Sequence, residues 1–278
     1  MTSAATAKAA WFAARIQVNY PDAWPETIRG LIVHSADWPD ALFRQFSIGE
    51  SRADFGKLLR IAGYGVPDLQ KALYCVNNTL TLIAQEFIQP FRKHERESRY
   101  VTNEMHLHNL PWPREVLLTL GETPVTLRVT LSYFIEPSPG EIGWEHRYRY
   151  QSFGLRFDIN TPNENQDEFV KRMNKAARDE EERATTSGDS TRWRIGSQNR
   201  NLGSLHSDIW EGTAADIASC SFIGIYPTIG WWRERPHLGK YDHRVRYSLI
   251  VSLETPEIDV DIYTPVSTMI RVPVKIRT

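Results

Sequence analysis

The chain has 278 residues, enough for one large domain or two ordinary ones with a real core. Hydrophobic residues make up 41% and charged residues 24%, and the net charge of −1 gives no overall field to recruit nucleic acid or an acidic membrane. Two cysteines, Cys75 and Cys220, exclude a disulfide scaffold, and no apolar run nears the ~18–20 residues that cross a bilayer.

Residues 3 to about 75 read as helical. Ala4, Ala7, Trp11, Ala14 and Val18 recur in steps of three and four and predict one buried helix face. "NYPDAWPE" ends that helix, and Pro25 and Glu26 suit the start of the next. "PETIRGLIVHSA" is then a second helix, with Ile28, Leu31 and Ile32 inward. "SRADFGKLLRIA" is a third, stopped by Gly63-Tyr64-Gly65, and "VPDLQKALY" a fourth.

The texture changes near residue 78. "NTLTLIAQEFI" is β-like, and "PVTLRVTLSYFI" alternates cleanly. Val125, Leu127, Val129, Leu131 and Tyr133 form a buried face there, and Thr126, Arg128, Thr130 and Ser132 a face in water. "YQSFGLRFDIN" and "RVRYSLIVSL" follow the same rule. The expectation is an α/β piece over 1–77 and a mainly antiparallel β-sandwich or jelly-roll-like domain over 78–278. One charged helix, about 163–184, interrupts that domain with a stripe of Phe169, Val170, Met173 and Ala177, and "TTSGDST" after it reads as a loop.

Several residues invite chemistry, and each has a plainer reading. Ser3 before a run of alanines is a helix cap by its residues alone. His34 reads as an ordinary helix C-terminal residue. His106 and His108 would share a strand face at metal-ligand spacing with Glu104 nearby, but no third ligand is evident. His206, His237 and His243 fall in loops or strand starts. Asp208, Glu211 and Asp216 lack the oxygen density of a calcium loop. "GSQNRNLGSLHSD" reads as a surface loop, and the basic stretches "FRKHER" and "EHRYRY" as solvated faces. Trp231 and Trp232 with Arg233 could form a protein contact, against a plainer reading as loop packing. The tryptophans beside proline in "AWPE", "DWPD" and "PWPR" suit loops pinned to a surface.

The ordered set carries more than its pieces. "TSAATAKAAWFAARIQVNYPDAWPETIRGLIVHSA" followed by "GYGVPDLQKAL" resembles the C-terminal part of a subtilisin-like (S8 family) serine peptidase domain. In that family the nucleophile opens a long helix within Gly-Thr-Ser-x-Ala. The resemblance therefore implies Ser3 as nucleophile, with Thr2 and Ala5 in the motif and Gly63, Gly65 and Asp68 in the closing turn. Met1 stands where the motif has glycine.

The resemblance implies peptide-bond hydrolysis through an acyl-enzyme on Ser3, without cofactor or metal, on peptide or protein substrates. The family's triad runs Asp, His, Ser. The two partners of Ser3 and the oxyanion asparagine therefore belong upstream of it, and this chain by itself is expected to be inactive. Loss of the triad base costs about 10⁶ in turnover in subtilisin itself. An upstream catalytic fragment or an ATPase are the implied partners, and the location leans to the bacterial cytoplasm. The rival expectation is a non-catalytic β-sandwich module that binds protein through the Trp231–Trp232 region.

Overall fold

Pro21 and Pro25 divide the first helical stretch into α1 (Thr2–Asn19) and α2 (Pro25–His34). Proline at the first position of α2 loses no hydrogen bond, because that N–H has no partner inside a helix. The computed structural model describes residues 2–73, 79–139, 150–181, 191–256 and 274–277. Met1, Cys75, most of the basic run at 145–150 and the loop expected at 185–191 lie outside the described residues, Tyr150 and Thr191 excepted.

Beyond α2 the chain forms β1 (Ala36–Asp37), α3 (Asp40–Phe46), α4 (Arg52–Ala62), β2 (Val66–Pro67) and α5 (Leu69–Leu73). The sequence reading missed α3 and the two-residue strands, which pair antiparallel as Ala36 with Pro67 and Asp37 with Val66. The "GYG" turn makes that pairing feasible. Gly63 caps α4 at φ 58°, and Gly65 sits at φ 98°, where a Cβ would run into the Asp37 carbonyl. Only glycine fits both demands. Asp68 then accepts the Lys71 N–H at 3.0 Å and starts α5.

Strands dominate the remainder: β3 (Thr79–Ile88), β4 (Phe91–Lys93), β5 (Tyr100–Thr102), β6 (Glu104–Asn109), then helix α6 (Arg114–Leu120), β7 (Pro124–Tyr133) and β8 (Gly154–Ile159). Helices α7 (Gln166–Glu181) and α8 (Ser197–Arg200) precede β9 (Leu205–Thr213), α9 (Ala214–Ser219), β10 (Phe222–Thr228), α10 (Trp231–Glu234), β11 (Val245–Glu254) and β12 (Val274–Arg277). Among the described residues two four-stranded sheets form, ordered β3-β11-β7-β9 and β12-β6-β10-β8, with every pairing antiparallel.

One core joins the two sheets. Val125, Leu127, Val129 and Leu131 of β7 meet Leu155 and Phe157 of β8 and Ile223 and Ile225 of β10. Each such side chain contributes about 1.5–3 kcal/mol on burial. On the far side of the second sheet, Phe169, Met173 and Ala177 of α7 are buried with Met105, Leu107 and Tyr226. Gly224 leaves the space that the Met173 methyl fills. The tryptophans beside proline are held as loop anchors: Trp38 stacks on Phe55 at 5.7 Å, and Trp112 donates to the Cys220 carbonyl at 3.0 Å.

Two expectations about faces need correction. Half of the β7 face expected in water is covered: Thr130 and Ser132 are fully buried, together with Ser248 of β11, and Ser252 is nearly so. What covers them is α2, whose buried residues are Glu26, Thr27, Gly30, Leu31 and His34. A polar strand face thus became an interior surface because a helix with matching polar groups lies on it. On α1 the buried side chains are Phe12 and Ile16, while Trp11 is 49% and Val18 77% exposed and the alanines face outward. The four-residue step was right and its phase was wrong. Phe12 and Ile16 face Leu31, Ala72, Leu73 and Ile250, and that contact set fixes the rotation of the helix.

Candidate active site: the helix of Ser3 and the seam beneath it

Ser3 lies in the first turn of α1 and is exposed. Backbone N–H groups at a helix start lack intrahelical partners and carry the positive end of the dipole, so this position suits a group on which negative charge develops. Among the described residues the Ser3 hydroxyl has no hydrogen-bond partner.

Below α1 a small apolar cluster of Phe12, Ile16, Leu31, Ala72, Leu73 and Ile250 ties α1, α2, α5 and β11 together. The Tyr20 hydroxyl, in the turn after α1, donates to the Leu73 carbonyl at 2.6 Å. The helix that carries Ser3 is therefore positioned by α2 and α5, and those two rest on the sheet.

The seam between α2 and the sheet is polar and well satisfied. The Thr27 hydroxyl meets Gln85 Oε1 and Ser248 Oγ, the latter at 2.9 Å. Arg29 donates to Ser132 Oγ at 3.1 Å and to the carbonyls of Tyr133 and Ser204, and its guanidinium lies 4.1 Å from the Phe134 ring centre. Burial lowers the Arg29 pKa, while Glu26 works the other way. His34 places Nδ1 2.9 Å from Thr130 Oγ1 and Nε2 2.8 Å from Ser252 Oγ. Gly30 brings the helix close: a Cβ there would lie 2.8 Å from Ile250 Cδ1 and 3.5 Å from Ser132 Cβ.

The seam continues to the edge strand β9. Tyr64, from the "GYG" turn, donates its hydroxyl to the Leu205 carbonyl at 2.9 Å and accepts the Ser207 N–H at 3.2 Å. One side chain thus satisfies two backbone groups of an edge strand. Burial pushes the Tyr64 phenol up to about 12. Arg128 of β7 pairs with Asp37, which Lys71 also reaches at 2.8 Å. Burial works against ionisation of Asp37, but Arg128 and Lys71 hold its carboxyl below the usual value. A cavity of about 250 Å³ opens beside them, lined by Trp38, Tyr64, Arg128, Arg194, Ser207 and Asp208 among others.

The first 65 residues match the subtilase family. Peptidase S8 is the family's designation, and the matched stretch runs from the serine motif through Gly65, 65 of the 278 residues. No curated protein and no solved structure matches the chain. The subtilase segment thus comprises α1 to α4 with their turns, and its α2 makes the seam with the sheet.

The other expected sites lie away from Ser3. His106 Nδ1 and His108 Nε2 each stand 2.7 Å from the Tyr247 hydroxyl, and all three groups are buried between the sheets. Tyr247 belongs to β11 and the histidines to β6, so the cluster cross-links the two sheets. Burial, with His106 beside it, pushes His108 down to about 3, and burial raises Tyr247 well above 10. Glu104 is 3.9 Å from His106. Among the described residues no group of three or more His, Cys, Asp or Glu side chains could hold a metal ion.

His206 pairs with the Tyr133 hydroxyl at 2.9 Å and with the Arg200 carbonyl, and burial pushes it down to about 4. His237 and His243 are exposed, the latter against the Trp232 ring. Asp208, Glu211 and Asp216 pair with three different arginines: Arg200, Arg194 and Arg192. Cys220 is a buried free thiol.

Trp231 and Trp232 are core residues, each 3% exposed. Their indole N–H groups donate at 3.2 Å to the Glu136 carbonyl and to Glu136 Oε2. Neither ring is exposed: Trp232 packs on Phe153 at 5.2 Å and on His243 at 5.5 Å, and Arg233 is half-buried beside them.

Sequence reasoning missed the seam residues. Thr27, Arg29, His34 and Tyr64 are each unremarkable alone, and their partners lie 58 to 221 residues away. The readable signal was the polar face of β7: four hydroxyl or guanidinium side chains in alternation match a polar helix face as well as they match water.

Proposed function

We propose that the subtilase segment is the C-terminal part of a subtilisin-like serine peptidase domain, with Ser3 as nucleophile, and that the region from about residue 78 is an appended β-sandwich-type domain. The family match over residues 1–65, beginning at the serine motif, carries this reading. The exposed position of Ser3 in the first turn of α1 supports it.

The chemistry follows from the residue. A serine hydroxyl needs a base to accept its proton and a third group to orient that base. Ser3 Oγ would attack a peptide carbonyl, and the Ser3 N–H at the helix start would help hold the oxyanion. Water would then release the acyl group. Among the described residues, His34, His106, His108 and His206 are buried on hydroxyl or carbonyl partners elsewhere. Each would have to leave those partners to serve Ser3. We infer that the base and its orienting carboxylate come from sequence outside this chain, and that the chain on its own does not turn over substrate.

Intact mass and N-terminal sequence of the protein from its native source test this. The expected result is either a mass above 32.1 kDa with His and Asp motifs before Ser3, or a co-purifying chain that carries them. A 32.1 kDa protein with no companion, in a source whose lysate hydrolyses no peptide in its presence, would contradict it.

A further inference from the structure

We propose that His34 is a pH-operated latch: neutral, it locks α2 onto the sheet; protonated, it lets the α1–α2 pair lift away. Both ring nitrogens are committed, Nδ1 to Thr130 Oγ1 at 2.9 Å and Nε2 to Ser252 Oγ at 2.8 Å. The Thr130 hydroxyl continues to Ser207 Oγ at 2.8 Å. A single imidazole therefore closes a hydroxyl chain across β9, β7 and β11.

That chain works in one protonation state. A neutral imidazole has one N–H and one lone pair, so it donates to one hydroxyl and accepts from the other. A second ring proton forces both nitrogens to donate, and the hydroxyl that had donated to the ring must turn away. In a seam this buried, that hydroxyl is left without an acceptor, at the cost of an unsatisfied buried group. The new charge is also unwelcome where it sits.

Arg128 of β7 stands on the same face, two residues from Thr130, and opposes a second positive charge. Asp37 of β1 favours it but is already held by Arg128 and by Lys71 of α5. On α2 itself, Glu26 pairs with Arg246 of β11 at 3.3 Å, and Arg29 is cationic. Glu254 of β11 and Glu211 of β9 complete the charged groups on this face, and the latter is taken by Arg194. On β3 the described residues facing α2 are Thr81, Ile83, Gln85 and Phe87, which carry no charge. Burial and Arg128 together hold His34 well below its ordinary 6.5.

The sign is fixed by that direction. The docked state binds the proton poorly and the lifted state binds it normally, so the latch holds above pH ~6.5. Below it, the lifted population grows about tenfold per pH unit. Because α1 rests on α2 through Phe12, Ile16 and Leu31, lifting α2 displaces the helix that carries Ser3. The functional consequence, acid control of nucleophile placement, rests on the reading of Ser3 above; the latch itself does not.

Amide hydrogen exchange of the full chain between pH 7.5 and 5.0, corrected for intrinsic rates, tests the latch. The expected result is that protection of residues 25–34 falls about tenfold per pH unit below 6.5 and stays weaker throughout than that of β10, whose amides open only with the whole core. His34→Gln keeps one donor and one acceptor without a titrating group, and should make α2 protection independent of pH. Protection of α2 equal to that of β10 at every pH, pH-independent protection of α2, or a His34→Gln variant with the wild-type α2 profile would each overturn the proposal. Should the variant fold poorly, exchange of the His34 C2 hydrogen in the wild-type chain reads its pKa directly. A value at or above 6.5 would overturn it, whether or not Ser3 proves to be a nucleophile.

Discussion

Thr27 Oγ1 lies 2.9 Å from Ser248 Oγ, joining the second helix of the subtilase segment to the middle strand of a sheet 221 residues further along the chain. The pair is buried, and the same face carries Gly30, His34, Thr130 and Ser132. Helix and sheet meet through these hydroxyls as well as through the Leu31–Ile250 contact, so hydrogen bonding helps to specify how they dock. Each such bond contributes about 0.5–1.5 kcal/mol net, and breaking one partner of a buried pair costs about 1–3 kcal/mol.

Gly30 tests how close that contact is. A Cβ there would crowd the far end of Ile250, at 2.8 Å, with Ser132 Cβ at an ordinary 3.5 Å, and a helix gains by exchanging glycine for alanine. Gly30→Ala should therefore change stability by less than about 1 kcal/mol, whereas Gly30→Val should destabilise by about 1–3 kcal/mol through overpacking. Urea denaturation of both variants measures the difference. Equal effects would mean that α2 does not sit on Ile250.

Tyr64→Phe removes the hydroxyl that serves the Leu205 carbonyl and the Ser207 N–H. The ring stays and the edge of β9 loses two partners, at a cost of about 1–3 kcal/mol. Faster exchange of the Ser207 amide, with β10 amides unaffected locally, is the specific signature.

Much of the fold was legible in residue pattern, and its failures have physical causes. Alternation along 124–133 located β7 and its core face, since Val125, Leu127, Val129 and Leu131 can be buried together only on a strand. It could not tell whether Thr130 and Ser132 faced water or another polar surface, because both satisfy a hydroxyl. On α1 the spacing gave a helix but alanine and Val18 misled the phase, since small apolar residues are tolerated in water and only Phe12 and Ile16 bury enough area to set the rotation. The helices α3 and α6 have seven residues each, too short to show a periodic stripe. For the site, the serine motif was readable because its residues are contiguous. The seam was not, because its partners are assembled by the fold.

Acid sensitivity follows from the buried histidines. His34, His108 and His206 are all held below their ordinary 6.5 mainly by burial, the last two at about 3 and about 4. A histidine with a depressed pKa stabilises the folded state above its unfolded pKa and loses that contribution as pH falls. Stability should be flat from pH 8 to 6.5. Below that it should decline by about 1.4 kcal/mol per pH unit for each of these groups, with the His206 contribution levelling off near pH 4. Denaturant titrations at pH 8, 6 and 5 read the slope, and a stability that rises on acidification would refute it.

Tyr247→Phe should expose the role of the sheet-to-sheet cluster. Both imidazoles lose the hydroxyl at 2.7 Å, and the loss of a buried partner should cost on the order of 1–3 kcal/mol without altering α2 protection. A measured cost near zero would mean that the two histidines find other partners and that Tyr247 does not cross-link the sheets.

Labelling by a fluorophosphonate probe, read as a mass shift on a Ser3 peptide, tests the nucleophile assignment most directly. The expected result is no label on the 32.1 kDa chain alone, and label on Ser3 when the sequence carrying the catalytic histidine and aspartate is present, abolished by Ser3→Ala. Label on Ser3 in the isolated chain would contradict the claim that its base lies elsewhere. Label on a different residue of the complete, active protein would contradict the assignment of Ser3 itself.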